Sequence, residues 1–181
     1  FEHSAIFFHR FPGDYEGKHM DENKRLLDLI REQSGSDFFL MTHGDTTYGL
    51  PSGKHMMKFI AELADHPQRV KNRAKRAVAK ALRHAAMLKR HGVLDGFALC
   101  SDYCFNTGPF LSPAMFDEFV APYLTDLIAG YRALGFYTIK HTDGNIMPIL
   151  DALVAARPHA LHSLDPQGGV DLADVKRRVG K

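Results

Sequence analysis

Two residues in the stretch IKHTDGNI, His141 and Asp143, carry the clearest chemical signal in this sequence. They lie two positions apart at the end of an apolar run, and Gly144 and Asn145 follow at once. Because alternate side chains of an extended chain point the same way, the imidazole and the carboxylate can face one ligand. The pair can bind zinc, or it can transfer a proton while the carboxylate fixes the imidazole tautomer. In a third interpretation, Asp143 only shapes the turn and His141 is a structural strand-end residue.

Polar and titratable residues also follow the other apolar runs of the chain. They are His43 and Asp45 after the first run, Asp102 and Tyr103 after the second, and His162 and Asp165 after the fourth. If the runs are parallel strands, their carboxyl ends meet at one edge of a sheet, and the loops there form a shared pocket. Taken singly, each of these residues is equally well explained as a turn former. Their recurrence after every run favours one common site.

The sequence therefore predicts an enzyme site with three groups of residues. The predicted metal ligands are His141 and Asp143. The predicted catalytic residues are Asp102 and Tyr103. The predicted substrate-binding residues are His43, Asp45, Asn145, His162 and Asp165.

Short apolar runs alternate with amphipathic helical patterns along most of the chain. The runs predict strands at residues 37–43, 95–100, 136–141 and 159–164. The helical patterns cover residues 22–33, 54–64, 67–90, 113–134 and 146–156. A last helix is expected after Asp171. Ser112 is a suitable cap in front of Pro113, and Pro122 predicts a kink near Glu118 in the helix that follows.

Alternating strands and helices predict an α/β fold with a parallel sheet, because each helix returns the chain to the edge where the next strand begins. Two architectures satisfy this pattern, an open doubly wound sheet and a closed (β/α)8 barrel of the TIM type. The chain offers about four strand–helix units, whereas a whole barrel needs about 250 residues. The sequence therefore predicts either an open sheet or part of a barrel.

Composition and charge exclude several classes of protein. The chain has 181 residues, of which 45% are hydrophobic, and this is enough for a buried core. It lacks the run of about 18 apolar residues that a membrane span requires, so we expect a cytoplasmic location and no membrane partner.

Cys100 and Cys104 lie too close together for a disulfide framework and lack the two-residue gap of a redox or zinc-knuckle pair. Free thiols are therefore expected.

The segment 66–94 is strongly basic, with nine Lys or Arg residues and no Asp or Glu. Such a segment is compatible with a non-enzymatic module that binds nucleic acid or an acidic partner protein. An apolar stripe runs along the same helix, however, and favours an interpretation in which the basic side chains form its solvated outer face. We therefore expect no nucleic-acid partner.

Residues 102–181 resemble the uroporphyrinogen decarboxylase superfamily in the phrases GPFLSPAMFDEFVAPYLTDLIAGYRALGF, IKHTDGNIMPILDALVAARPHALHSLDP and GVDLADVKRRVG. The phrase THGDTTYGLPSGKHMMKFIAELADHPQRV fits an earlier strand and helix of that family more loosely. The resemblance implies a (β/α)8 TIM barrel, of which residues 37–181 supply a partial barrel domain. It leaves residues 1–36 unassigned. A partial barrel has two open sheet edges, so a homodimer or a missing remainder is expected.

The resemblance implies one of two chemistries. True uroporphyrinogen decarboxylases remove acetate carboxyls from a tetrapyrrole without a metal or a cofactor. Zinc methyltransferases of the same superfamily transfer a methyl group from a corrinoid protein to a thiol, and their motif is His-x-Cys-Gly-Asn. His141 matches the zinc-binding histidine of that motif, whereas Asp143 stands where the cysteine is expected. A carboxylate donates less charge to zinc than a thiolate does, which argues against a thiol acceptor.

The leading hypothesis is a metal-assisted methyl or one-carbon transferase that binds a divalent metal, expected to be zinc, through His141 and Asp143. A corrinoid protein is the expected methyl donor. The alternative is a metal-free uroporphyrinogen decarboxylase of porphyrin biosynthesis, in which Asp102 or a neighbouring carboxylate stabilises a pyrrolic cation.

Overall fold

The computed structural model describes residues 8–9 and 19–180, with side chains described from Arg25 onwards. The strands in this part of the chain are β1 (Phe8–His9), β2 (Met41–His43), β3 (Gly96–Cys100), β4 (Cys104–Phe105), β5 (Gly108–Pro109), β6 (Tyr137–His141) and β7 (Ala160–His162). The α-helices there are α1 (His19–Ser34), α2 (Gly53–Asp65), α3 (Pro67–His91), α4 (Pro113–Phe119), α5 (Ala121–Ala133), α6 (Leu150–Ala155) and α7 (Leu172–Val179). Two short 3-10 turns cover Met147–Ile149 and Pro166–Gly168.

Among the described residues, five strands form one parallel sheet in the order β1, β2, β3, β6, β7, and β4 and β5 form a separate antiparallel hairpin. Sheet neighbours therefore follow one another along the chain, and the order never reverses. A doubly wound sheet reverses its strand order at a switch point, whereas a barrel keeps successive strands side by side. The structure thus confirms the partial (β/α)8 barrel. β1 lies within residues 1–36 and extends the sheet beyond the four predicted strands.

The sheet buries one of its two faces beneath the helices. Phe97 and Leu99 on β3, and Thr138 and Lys140 on β6, are no more than 1% exposed. Tyr137, which alternates with Thr138, is 53% exposed. Because side chains alternate along a strand, β6 has a buried helix-facing side and an inner side on which Tyr137 is exposed and Ile139 and His141 are half-buried.

Helix α5 supplies much of the surface against which the sheet packs. The ring of Phe97 stacks on that of Tyr131 with centroids 4.1 Å apart. The hydroxyl of Tyr131 donates a hydrogen bond to the carbonyl of Gly44 at 2.8 Å. Leu124 and Leu127 on the same helix are fully buried, which stabilises the fold by about 1.5–3 kcal/mol for each side chain. These contacts fix the loop after β2 relative to β3.

Prolines divide two of the predicted helices. The pattern over residues 113–134 forms two helices, α4 and α5. Pro122 has no N–H with which to bond the carbonyl of Glu118, so the predicted kink is a break between helices. The pattern over residues 146–156 begins as a 3-10 turn around Pro148 and continues as α6.

Two of the predicted helix starts are confirmed by their caps. Ser112 Oγ accepts a hydrogen bond from the amide of Met115 at 3.3 Å at the start of α4. Asp171 Oδ1 accepts one from the amide of Ala173 at 2.8 Å at the start of α7. A side-chain acceptor at this position satisfies an amide that the first helical turn leaves free.

Helix α3 buries an apolar face and directs most of its basic side chains outward. The buried residues are Val70, Ala74, Val78, Ala85 and Leu88. On the outer side Arg73 forms an ion pair with Glu62 at 2.9 Å. Within residues 19–180, none of the helices combines the length and the apolar composition that a membrane crossing needs.

Candidate functional site

Three strands end side by side at the candidate site. The register pairs Cys100 with His141, and His141 with His162. Paired residues of a parallel sheet point to the same face, so these three side chains form one layer on the inner side of the sheet. Asp102 follows β3 closely, and Asp143 follows β6. The exits of β3, β6 and β7 therefore bring imidazoles and carboxylates to one place.

His141, Asp102 and Asp143 form a compact polar cluster at these exits. Nε2 of His141 lies 3.7 Å from Oδ1 of Asp102 and 3.7 Å from Oδ2 of Asp143. One donor atom from each residue lies within 4.8 Å of the other two. The His141 side chain is 25% exposed, and those of Asp102 and Asp143 are 46% and 60% exposed. A ligand can therefore reach the cluster from solvent.

His162 contacts the other nitrogen of the His141 ring. The two Nδ1 atoms are 2.9 Å apart, so one ring must donate and the other must accept. When Nδ1 of His141 carries the proton, its Nε2 lone pair faces the two carboxylates. His162 is thus suited to hold the tautomer in which His141 can bind a metal.

A backbone hydrogen bond joins the two loops that carry the carboxylates. The amide of Asp143 donates to Oδ1 of Asp102 at 3.1 Å. The next residue, Gly144, has φ +79°, and a Cβ there would lie 2.6 Å from the carbonyl oxygen of Phe105. The amide of Asn145 donates to that same carbonyl at 2.9 Å. The β4–β5 hairpin therefore supports the loop after β6 at a distance that only glycine permits.

A buried ion pair lies on the helix-facing side of the same strand exits. Nζ of Lys140 is 2.7 Å from Oδ2 of Asp45, and the two side chains are 0% and 4% exposed. The ammonium also donates to the carbonyls of Leu99 at 3.0 Å and Ser101 at 2.9 Å. Burial raises the pKa of the Asp45 carboxyl, but the charge and hydrogen bond of Lys140, together with the hydrogen bonds from Thr47, outweigh burial and hold this pKa below its usual value. Burial lowers the pKa of Lys140, and the Asp45 charge opposes that shift.

Two predicted site residues belong to this buried network and lie outside the cluster. Asp45, a predicted substrate-binding residue, is engaged by Lys140 and also accepts hydrogen bonds from the amide and hydroxyl of Thr47 at 2.9 and 2.6 Å. Tyr103, a predicted catalytic residue, is 3% exposed, and its hydroxyl forms a hydrogen bond with that of Thr47. Burial also raises the pKa of Tyr103 well above its usual value. The polar atoms of both residues are already paired away from solvent, and their part in substrate binding or catalysis stays a prediction.

Three further predicted substrate-binding residues are not members of the cluster. Oδ1 of Asn145 accepts a hydrogen bond from the amide of Met147 at 3.1 Å, and Oδ1 of Asp165 accepts one from the amide of Gln167 at 2.8 Å. These contacts are typical of turn-forming side chains. His43 is the last residue of β2 and pairs with Ala98, so it lies one side-chain layer below Cys100 and His141. Their part in substrate binding stays a prediction.

Lys140 and Thr142 are the residues near the site that sequence reasoning missed. A lysine within the apolar run FYTIKH is itself a signal, because lysine is seldom fully buried without a partner. The sequence does not show that partner, since Asp45 is 95 residues away along the chain. Thr142 accepts a hydrogen bond from the amide of Tyr103 at 3.0 Å, a contact between two loops that no local pattern predicts.

The two cysteines have free thiols, as predicted. Burial raises the pKa of both, and that of Cys104 to about 12. The Cys104 thiol is therefore protonated at neutral pH and poorly suited to bind a metal.

The donor set of the cluster fits a divalent cation. An imidazole nitrogen and carboxylate oxygens are ligands for zinc and for other first-row metal ions. Two carboxylates beside one imidazole also place negative charge around the position that a cation would take, which favours its binding. The exposure of both carboxylates leaves room for water or a substrate to complete the coordination.

The comparison with protein families gives a match over most of the chain. A model of the family described as uroporphyrinogen decarboxylase (URO-D) matches residues 47–181. No curated protein and no solved structure matches the chain significantly. The matched region includes β3, β6 and β7, the strands whose exits form the cluster.

Proposed function

The chain belongs to the uroporphyrinogen decarboxylase family, and from this premise we propose that it contains the metal site of an enzyme that transfers methyl or other one-carbon groups. Family membership supports an enzyme of this superfamily. The metal proposal depends on one observation, the approach of the donor atoms of Asp102, His141 and Asp143 to within 4.8 Å of one another.

Each residue of the cluster has a role in this proposal. His141 contributes its Nε2, and Asp102 and Asp143 each contribute a carboxylate oxygen, to one divalent ion, with zinc the first choice. Bound there, the ion would act as a Lewis acid toward the reacting substrate atom. His162 orients the His141 ring through the contact between their Nδ1 atoms. The solvent-exposed sides of the two carboxylates are where substrate would enter.

The identity of residue 143 bears on the class of methyl acceptor. In the methyltransferases that this chain resembles, the motif has a cysteine at this position, whereas this chain has Asp143. A carboxylate is a harder donor than a thiolate and leaves the ion less electron-rich. We therefore propose an acceptor other than a thiol. A corrinoid protein as methyl donor is proposed from the resemblance alone.

Metal analysis of the purified protein tests the proposal. The wild type should bind about one zinc ion per chain, because its three donors suffice for a site with open positions. His141→Ala should weaken zinc binding by at least about 10–100-fold, because loss of a residue that only orients a metal ligand already weakens metal binding by that factor. Zinc affinity can be measured by competition with a chromophoric chelator.

His55→Ala is the matched control, because His55 is an exposed histidine on α2 and lies outside the cluster. It should leave zinc affinity unchanged. An absence of zinc binding in the wild type, or equal affinity in the wild type and His141→Ala, would contradict the metal proposal.

An assay on uroporphyrinogen decides between this proposal and the metal-free decarboxylase. The transferase proposal expects no decarboxylation of the tetrapyrrole by the wild type. Turnover that continues after treatment with EDTA would replace the proposal with decarboxylation, since that reaction needs no metal.

A further inference from the structure

We infer that Lys140 is a positioning residue that fixes Asp102 relative to His141 and would not itself contact the metal ion. The inference rests on the proposed function, because the distance that Lys140 would control is the one between two proposed metal ligands. Its structural basis is the pair of hydrogen bonds that connect the neighbours of these two ligands.

The first of these bonds joins the residues that precede the two ligands. Lys140 comes directly before His141, and Ser101 comes directly before Asp102. Nζ of Lys140 donates to the carbonyl of Ser101 at 2.9 Å. The register of β3 and β6 places Leu99 beside Lys140, so this bond lies where the regular strand pairing ends. It therefore sets the direction in which the chain leaves β3.

The second bond joins the residues that follow the two ligands. Thr142 comes directly after His141, and Tyr103 comes directly after Asp102. The amide of Tyr103 donates to Oγ1 of Thr142 at 3.0 Å. His141 thus lies between Lys140 and Thr142, and Asp102 lies between Ser101 and Tyr103. Lys140 is hydrogen-bonded to Ser101, and Thr142 is hydrogen-bonded to Tyr103. The two bonds together restrict both the distance and the relative direction of the two side chains.

The contacts of Lys140 keep its ammonium on the helix-facing side. An ammonium has three N–H donors, and here they have three acceptors: the carbonyls of Leu99 and Ser101 and the carboxylate of Asp45. The ammonium also lies 4.1 Å from the ring centroid of Tyr103. With every donor used and the side chain fully buried, Lys140 is a fixed anchor and not a mobile acid or base.

Asp45 extends the anchor to a third strand exit. Its Oδ2 accepts from Lys140, and its Oδ1 accepts from Thr47 in the loop after β2. One ammonium therefore connects the loops that leave β2 and β3 to the end of β6. A neutral side chain of similar length cannot replace it: methionine has no N–H donor, and glutamine has two for the three acceptors.

The test removes the ion pair and measures the hydrogen bond between the amide of Asp143 and Asp102. Lys140→Met alone leaves the Asp45 carboxylate buried without its partner, so the double variant Lys140→Met/Asp45→Asn is used. Thr142→Val provides a second variant, since it removes the other bond without burying a charge. Amide hydrogen exchange, followed by NMR, compares the exchange rate of the Asp143 amide with the rates of amides at the centres of β3 and β6.

In both variants the Asp143 amide should exchange at least about tenfold faster relative to the central strand amides, because local opening at the site becomes easier than global unfolding. In the protein loaded with zinc, affinity should fall by about 10–100-fold, as for other groups that orient metal ligands.

The matched control is Arg31→Met/Asp95→Asn. This ion pair has the same 2.7 Å separation but lies at the opposite end of β3 from the cluster. It should lower stability without changing the relative exchange of the Asp143 amide or the zinc affinity. If Lys140 had only a structural role, the relative exchange of the Asp143 amide would respond in the same way in Lys140→Met/Asp45→Asn, Thr142→Val and Arg31→Met/Asp95→Asn.

Unchanged relative exchange of the Asp143 amide in Lys140→Met/Asp45→Asn and in Thr142→Val would overturn the inference. The exchange measurement needs no metal. If the wild type binds no zinc, the proposed function fails, and the exchange result still decides whether Lys140 positions Asp102.

Discussion

The amide of Asp143 donates a hydrogen bond to the carboxylate of Asp102, although 41 residues separate them along the chain. This bond places two carboxylates beside the Nε2 of His141, on the exposed side of the sheet edge. Two like charges at short range repel each other, and a bound cation removes that repulsion. The relationship between these two residues is thus the feature from which metal affinity should arise, and it also determines which substitutions are informative.

Replacing Asp143 by cysteine should strengthen zinc binding. A thiolate is a softer and more electron-rich ligand than a carboxylate, and it suits zinc better than it suits magnesium or calcium. We expect Asp143→Cys to bind zinc at least about tenfold more tightly than the wild type, with no gain in magnesium affinity. Chelator competition measures the affinities, and a sulfur-to-metal charge-transfer band in the cobalt-loaded protein identifies the new ligand.

Asp143→Asn serves as the comparison for this substitution. It keeps the backbone bond to Asp102 and the size of the side chain but removes the charge, so zinc affinity should fall below that of the wild type. Equal zinc affinity in the wild type, Asp143→Cys and Asp143→Asn would show that residue 143 is not a ligand.

Replacing Gly144 by alanine should destabilise the site loop. Its positive φ costs an L-residue about 1–2 kcal/mol, and the added Cβ would lie 2.6 Å from the carbonyl of Phe105. We expect a loss of about 2–4 kcal/mol of unfolding free energy, as strain and contact act together. Urea denaturation followed by circular dichroism measures it.

Gly92→Ala separates these two effects, because Gly92 has φ +72° but nothing within 4 Å of the position of a Cβ. It should cost only the conformational part, about 1–2 kcal/mol. Similar losses in the two variants would mean that the loop after β6 yields easily, and that its contact with the β4–β5 hairpin is not restrictive.

Replacing Asp45 by asparagine should make stability less dependent on pH in acid. The pKa of Asp45 is lower in the folded protein than its usual value, so its contribution to stability is complete above the unfolded pKa of about 4 and is lost as pH falls through the folded pKa. At neutral pH, Asp45→Asn leaves Lys140 charged and buried, which should cost about 3–5 kcal/mol. The difference between the wild type and Asp45→Asn should then stay nearly constant from about pH 7 to about pH 5 and shrink at lower pH.

Urea denaturation at several pH values measures this difference, and Lys140→Met together with Lys140→Met/Asp45→Asn completes the double-mutant cycle. The double variant should be more stable than the sum of the single effects implies, because it contains no unpaired buried charge. A difference between the wild type and Asp45→Asn that stays constant with pH would show that folding does not lower the pKa of Asp45.

The sequence predicted the elements well where hydrogen bonding is local. The caps Ser112 and Asp171 lie where the pattern placed them, and α3 begins at the predicted Pro67. The breaks at Pro122 and Pro148 follow from a missing N–H, whereas the sequence pattern predicted one kinked helix over residues 113–134 and one helix over residues 146–156. Apolar periodicity continues across such a break because both pieces pack on the same core.

The site was predictable in part, because polar side chains at strand exits signal a functional edge without revealing their individual partners. His141, Asp143, Asp102 and His162 come together as the parallel register requires. Asp45 occupies an equivalent place in the sequence, but its loop turns beneath the sheet and meets Lys140. Only the three-dimensional path of that loop shows that the Asp45 carboxylate contacts Lys140 and not the cluster.

His141 and Lys140 are adjacent along β6 and lie on opposite faces of it. Deletion or insertion of a single residue within this strand would reverse the faces of the residues that follow it, so that the ammonium faced the inner side of the sheet and the imidazole faced the helices. Mutational libraries that aim to change the reaction should therefore use substitutions at the inner-face positions and keep the length of the strand constant.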